Sequence, residues 1–102
     1  MSNLIDQAQR EVLREEILKM VQQSEPVGAS SQVLRAGLKK LDMDVSETEL
    51  ATQVNYLDGK GLLFVERIRN ERLGIRRMVA HITPTGTDVL EGNGSVSGVS
   101  CS

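Results

Sequence analysis

The stretch 57-LDGKGLLFVERIRNERLGIRRMVAHITPTGTDVL-90 changes its hydrophobic period part-way along, and that change decides the fold. "LLFVERIR" (62–69) and "IRRMVAHI" (75–82) are rich in β-branched and apolar residues, and "NERLG" between them is a short polar turn with a glycine. Two such runs around such a turn predict a β-hairpin, although these signals do not fix its register. The same stretch concentrates charge. Arg67, Arg69, Arg72, Arg76 and Arg77 fall within eleven residues.

That charge is local. The chain carries a net charge of −2, yet residues 60–77 hold six basic residues (Lys60 and the five arginines) against Glu66 and Glu71. The segment is therefore +4 and the remainder −6. A pI near 5.4 argues against a general nucleic-acid coat, but not against one basic edge presented to a phosphate backbone.

Upstream of the hairpin the period is helical. In "NLIDQAQREVLREEILKMVQQ" (3–23), Ile5, Ala8, Val12, Leu13, Ile17, Met20 and Val21 recur at three and four residues, which predicts an amphipathic helix. Pro26 ends it, because the residue before a proline is pushed out of helical geometry. "VGASS" (27–31) reads as a loop feeding a second helix over 31–41, capped by Ser30 or Ser31. Its expected buried stripe is Val33, Leu34, Leu38 and Leu41. Gly37 inside it costs about 1 kcal/mol against Ala, so this helix needs tertiary support. "VSETEL" (45–50) is a capping box, with Ser46 capping the Glu49 amide and Glu49 reaching back. The third helix it opens would bury Leu50, Val54 and Leu57 and end at Lys60-Gly61.

Downstream of the hairpin, Thr83 caps a last short helix, Pro84 takes its first position and Gly92 ends it. Residues 1–92 thus form one folded unit. The tail "NGSVSGVSCS" (93–102) is small and polar, and its composition predicts flexibility.

Composition removes several function classes. With 102 residues there is one domain and one core, worth about 5–10 kcal/mol. One Phe, one Tyr and no Trp leave few platforms for stacking on single-stranded bases. A lone Cys101 and a lone His81 form neither a disulfide nor a zinc cluster. No cofactor motif or catalytic constellation appears, so the expectation is a non-enzyme, with His81 structural. There is no leader-like N-terminus and no apolar run of membrane-spanning length, which predicts a soluble cytoplasmic protein with no membrane partner.

Three helices followed by a hairpin and a short helix describe an α+β winged helix-turn-helix. The second and third helices form the helix-turn-helix and the two-stranded hairpin is the wing. The residues "YLDGKGLLFVERI…VAHITPTGTDVLEG" (56–92) resemble the end of the recognition helix, the wing and the following helix of MarR-, ArsR- and PadR-type bacterial regulators. The resemblance covers residues 5–92 and is specific for the fold rather than for one function. A narrower resemblance links "ITPTGTDVLEG" and "SVSGVS" to small winged-helix proteins of Mu-like prophages. It implies a DNA-associated phage regulator with an ordered tail. Members of that group tend to carry a basic residue and a proline after the final Gly-Val; here Gly98-Val99 is followed by Ser-Cys-Ser, a departure from the pattern.

The fold implies where duplex DNA would be met: the third helix in the major groove and the wing on phosphate or the minor groove. The outward positions of that helix are Glu47, Thr48, Ala51, Thr52, Asn55, Tyr56 and Gly59, with Gln53 and Asp58 at the margins. Thr48, Thr52, Gln53 and Asn55 can read base edges. Tyr56 can contact the backbone or pack on the wing. The helix has no Arg, and Glu47 is left free to repel phosphate. Lys60, Arg67, Arg69, Arg72, Arg76 and Arg77 must then supply affinity, with Arg35, Lys39 and Lys40 adding to it. The competing reading pairs the arginines with Glu66, Glu71 or the acidic helices. Two functions stay open: a DNA-binding transcriptional regulator, homodimeric through the first helix and the C-terminal segment, or a winged-helix adaptor that binds protein and not DNA.

Overall fold

The computed structural model describes residues 7–92. Ile5 of the expected first stripe and the 93–102 tail lie outside them. The order is α1 (Gln7–Gln23), β1 (Ala29–Ser30), α2 (Ser31–Lys40), α3 (Glu47–Gly59), β2 (Leu63–Asn70), β3 (Ile75–Ile82) and α4 (Pro84–Leu90).

The three helices pack around an aliphatic core. Leu13, Ile17, Leu18 and Val21 of α1 meet Leu34 and Leu38 of α2, Leu50, Val54 and Leu57 of α3, and Val89 of α4. Three positions in α1 depart from expectation. Ala8 is exposed. Leu18 is fully buried, and Val12 is 44 % exposed. The first turns of α1 overhang the body, so the buried stripe begins at Leu13. In α2, Leu34 and Leu38 are buried as expected, but Val33, and Leu41 just past the helix end, are about half exposed. Gly37 is explained by contact: the Met20 sulfur occupies the space a Cβ would need, so the glycine lets α1 and α2 close on each other.

The caps follow the sequence with one exception. Ser30 Oγ accepts from the Val33 amide, and Thr83 Oγ1 accepts from Gly86. Ser46 Oγ accepts from Glu49 at 3.0 Å, but the carboxylate of Glu49 does not return to Ser46. It accepts from Gln53 Nε2 at 2.6 Å instead. The capping box is half made, since a side-chain amide one turn along competes for the same carboxylate. Gly61, at φ +76°, turns the chain from α3 into the hairpin.

The hairpin is present, and the segment expected to be plain loop adds to it. Ala29 and Ser30 pair antiparallel with Ala80 and Val79. The sheet therefore has three strands in the order β1-β3-β2. Two residues are too few to show a strand period. The register of the hairpin runs from Leu63↔Ile82 to Asn70↔Ile75, closing a four-residue turn in which Asn70 Oδ1 accepts from Leu73. At the root, Thr83 is stitched to the start of β2: its amide reaches the Leu62 carbonyl and its hydroxyl the Gly61 carbonyl.

Candidate nucleic-acid interface

Side chains alternate across a strand, so the register sorts the arginines. Leu63, Val65, Arg67 and Arg69 share one face of β2, and the residues opposite them are Ile82, Ala80, Met78 and Arg76. Leu63 and Ala80 are buried, and Val65, Met78 and Ile82 pack against the core. This face is therefore turned toward the helices. The other face carries Phe64, Glu66, Ile68 and Asn70 opposite His81, Val79, Arg77 and Ile75. Phe64, Ile68 and Ile75 are exposed there. Of the five arginines, Arg67, Arg69 and Arg76 face α3, Arg77 stands on the opposite face, and Arg72 lies in the turn.

A cleft of about 400 Å³ runs between α3 and the hairpin. Leu50, Ala51, Val54 and Asn55 form one wall, and Arg67, Arg69, Arg76 and Met78 the other. Arg77 also borders it, despite its place in the pleat. Arg67 Nη2 donates to Asn55 Oδ1 at 3.4 Å across the opening. Arg69 and Arg76 are directly opposite each other. Among the described residues, neither their side chains nor those of Arg72 and Arg77 make an ion pair or a hydrogen bond. The acids that would have neutralised them do not: Glu66 points to His81 and no contact joins Glu71 to an arginine. Like charges set opposite one another oppose folding.

On α3, Thr48, Ala51, Thr52 and Asn55 are exposed at helical spacing. The Thr52 hydroxyl donates to the Thr48 carbonyl at 2.9 Å, so outward it offers its lone pairs. Gln53 is a correction to the expected set of base readers. It is 3 % exposed and lies inside the fold. Its Nε2 donates to Glu49 and its Oε1 accepts from Arg14 Nε at 2.6 Å. A side chain committed at both ends within the core side of α3 has nothing to present to a base. Tyr56 is half-buried. The Arg14 guanidinium lies 3.7 Å from its ring centre and the Lys60 ammonium 5.5 Å away. It packs as a cation-bearing platform at the end of α3, with Lys60 exposed beside it.

Glu47 is also not the free repulsive charge expected. Arg35 on α2 pairs with it at 3.7 Å and donates from Nε to the Val45 carbonyl. Arg35 thus braces the connection between α2 and α3. Sequence spacing alone does not reveal this, nor the Arg14 contact, which spans 39 positions.

No family model matches this sequence, and no curated protein matches it. A solved structure described as a PadR-like transcription factor from bacteroid fragilis superposes with a TM-score of 0.75. The identity is 21 %, over 88 % of this chain and 84 % of that one. The fold is a winged helix. In those terms α2 and α3 are the helix-turn-helix, β2 and β3 the wing and β1 its third strand. The comparison carries the PadR-type likeness and says nothing of the MarR-type, ArsR-type or prophage resemblances. No described helix is long and apolar enough to cross a membrane.

Proposed function

We propose that this winged helix is a DNA-binding transcriptional regulator. The observation that carries the reading is the Arg69–Arg76 pair, set opposite across the wing, turned toward α3 and left without an anionic partner among the described residues. A phosphate backbone lying between α3 and the wing relieves that repulsion. Thr48, Thr52 and Asn55 then approach base edges, with Ala51 against a thymine methyl group. Arg67, Arg69 and Arg76 fix the register on phosphates, and Arg72 and Arg77 extend the contact along the wing. Lys60 and the Tyr56 platform close the far end of α3.

Homodimerisation belongs to the same reading. Ala8 and Val12 on the overhanging turns of α1 border an apolar cleft with Met43 and Val45. A second copy seated there would double a modest set of phosphate contacts.

The test is a titration with duplex genomic fragments at several salt concentrations. Wild type should bind with a steep negative slope of log K against log salt, and Arg69→Glu with Arg76→Glu should abolish retention. Binding of equal strength at low and high salt would count against the reading. One observation favours the adaptor alternative: Phe64, Ile68, Leu73 and Ile75 are exposed together on the wing's outer face and tip. Under that alternative the double variant would change nothing on DNA, because wild type would not bind either.

A further inference from the structure

The root of the wing holds an arrangement that DNA contact does not explain. Both ring nitrogens of His81 face carboxylates: Nδ1 is 3.2 Å from Glu25 Oε1, and Nε2 is 3.5 Å from Glu66 Oε1. Glu25 comes from the turn after α1 and Glu66 from β2. A neutral imidazole has one N–H and one lone pair. It serves one carboxylate and turns its lone pair on the other. The imidazolium alone donates to both.

The two sides are unequal. Glu25 has a second anchor, since its Oε2 accepts from the Ile82 amide at 2.7 Å. Glu66 has no further partner among the described residues, and its side chain is 53 % exposed. When the ring loses a proton, the Nδ1–H therefore stays with Glu25 and the bare Nε2 faces Glu66. The pleat decides where Glu66 turns. It stands opposite Val79 on the outer face, with His81 on one diagonal and Arg77 on the other. Diagonal neighbours are within reach of long side chains. Arg77 is unpaired among the described residues. Among the described residues, the other groups against the imidazole are uncharged: Phe64 across the strands, with ring centres 6.4 Å apart, and Gly28, which lies against Cε1.

We propose that His81 is a proton-operated selector at the root of the wing: protonated, it holds Glu66 and leaves Arg77 free; deprotonated, it releases Glu66 to pair with Arg77. The consequence at DNA rests on the function proposed above, and the exchange of partners does not. The bond to Glu25, helped by Glu66 and opposed by burial, raises the histidine above its ordinary value of 6.5. The exchange therefore falls above that ordinary value.

NMR titration of the free full-length protein tests the exchange. The Glu66 carboxyl carbon should show a step coincident with the His81 ring, and the Arg77 Nε–H should move at the same pH. Both steps should vanish in His81→Gln. In Glu66→Gln, an exposed change that serves if the first variant folds poorly, the ring pKa should fall and the Arg77 step disappear. A Glu66 signal flat through the His81 titration overturns the proposal. On DNA, wild type should lose about 0.9 of its log–log salt slope as pH rises through the His81 transition read from the ring titration, one phosphate contact's worth. Both variants should show no such change. The same loss in all three proteins overturns the selector's part at the interface. Absence of binding at every pH removes the DNA reading and that part with it, while the titration of the free protein decides the exchange itself.

Discussion

Arg69 and Arg76 face each other across the wing with no acid of the described residues between them, although the chain carries more acids than bases. Folding holds these charges together at a cost, and a bound polyanion returns it. On the function proposed above, the arrangement would tie stability and binding in opposite directions.

That opposition is measurable with one substitution. Arg76→Gln should stabilise the fold by about 0.2–1 kcal/mol, by removing a like-charge cross-strand pair. It should also weaken DNA binding and lower the log–log salt slope by about 0.9. Urea unfolding and a salt titration on the same preparation check both. A variant that lost stability and affinity together would show that Arg76 contributes to folding in some other way.

Gln53 and Asn55 should separate cleanly. Gln53→Ala leaves Arg14 and Glu49 without their shared partner. Hydrogen bonds to charged groups of this kind are worth about 1.5–3 kcal/mol, so unfolding should shift to lower denaturant with base preference unchanged. Asn55→Ala, on the exposed face of α3, should leave stability within about 0.5 kcal/mol. It should relax preference at one base position by about 1–3 kcal/mol, read by competition with single-base variants of a bound fragment.

Gly86 is a packing constraint at the root of the wing. A Cβ there collides with the Leu62 carbonyl oxygen, the same oxygen that accepts the Thr83 amide. Gly86→Ala, although alanine is the better helix former, should destabilise by about 1–3 kcal/mol in thermal or urea unfolding.

The His81 clasp also gives stability a pH dependence of fixed sign. The folded state holds the His81 proton more tightly than the unfolded chain does. Its contribution is complete below the ordinary value of 6.5 and is lost as pH rises through the raised folded value. The difference in unfolding free energy between wild type and His81→Gln should therefore shrink as pH rises from 6.5 through the raised folded value. A difference that grew over that range would place the neutral imidazole, not the imidazolium, between Glu25 and Glu66.

Much of the fold was legible because its signals are local. Ser46 before Glu49, Thr83 before Pro84, and the change of period at Leu62 each act over a few residues, and each appears where expected. The candidate site was legible as residue types but not as a surface. Gln53 and Asn55 are two positions apart on one helix, and their amides are chemically alike. What separates them is Arg14, 39 residues upstream of Gln53.

The sequence by itself determined that three helices, a basic hairpin and a short capped helix would follow one another, since helix periods, caps and turn residues report on neighbours in the chain. The tertiary structure decided which arginines share a face, that Ala29–Ser30 completes the sheet, and that Glu25, His81 and Glu66 meet. A hairpin's faces depend on register, and one residue of slip exchanges them. Contacts such as Glu25 to His81 join positions 56 apart, and only the packed chain brings these together.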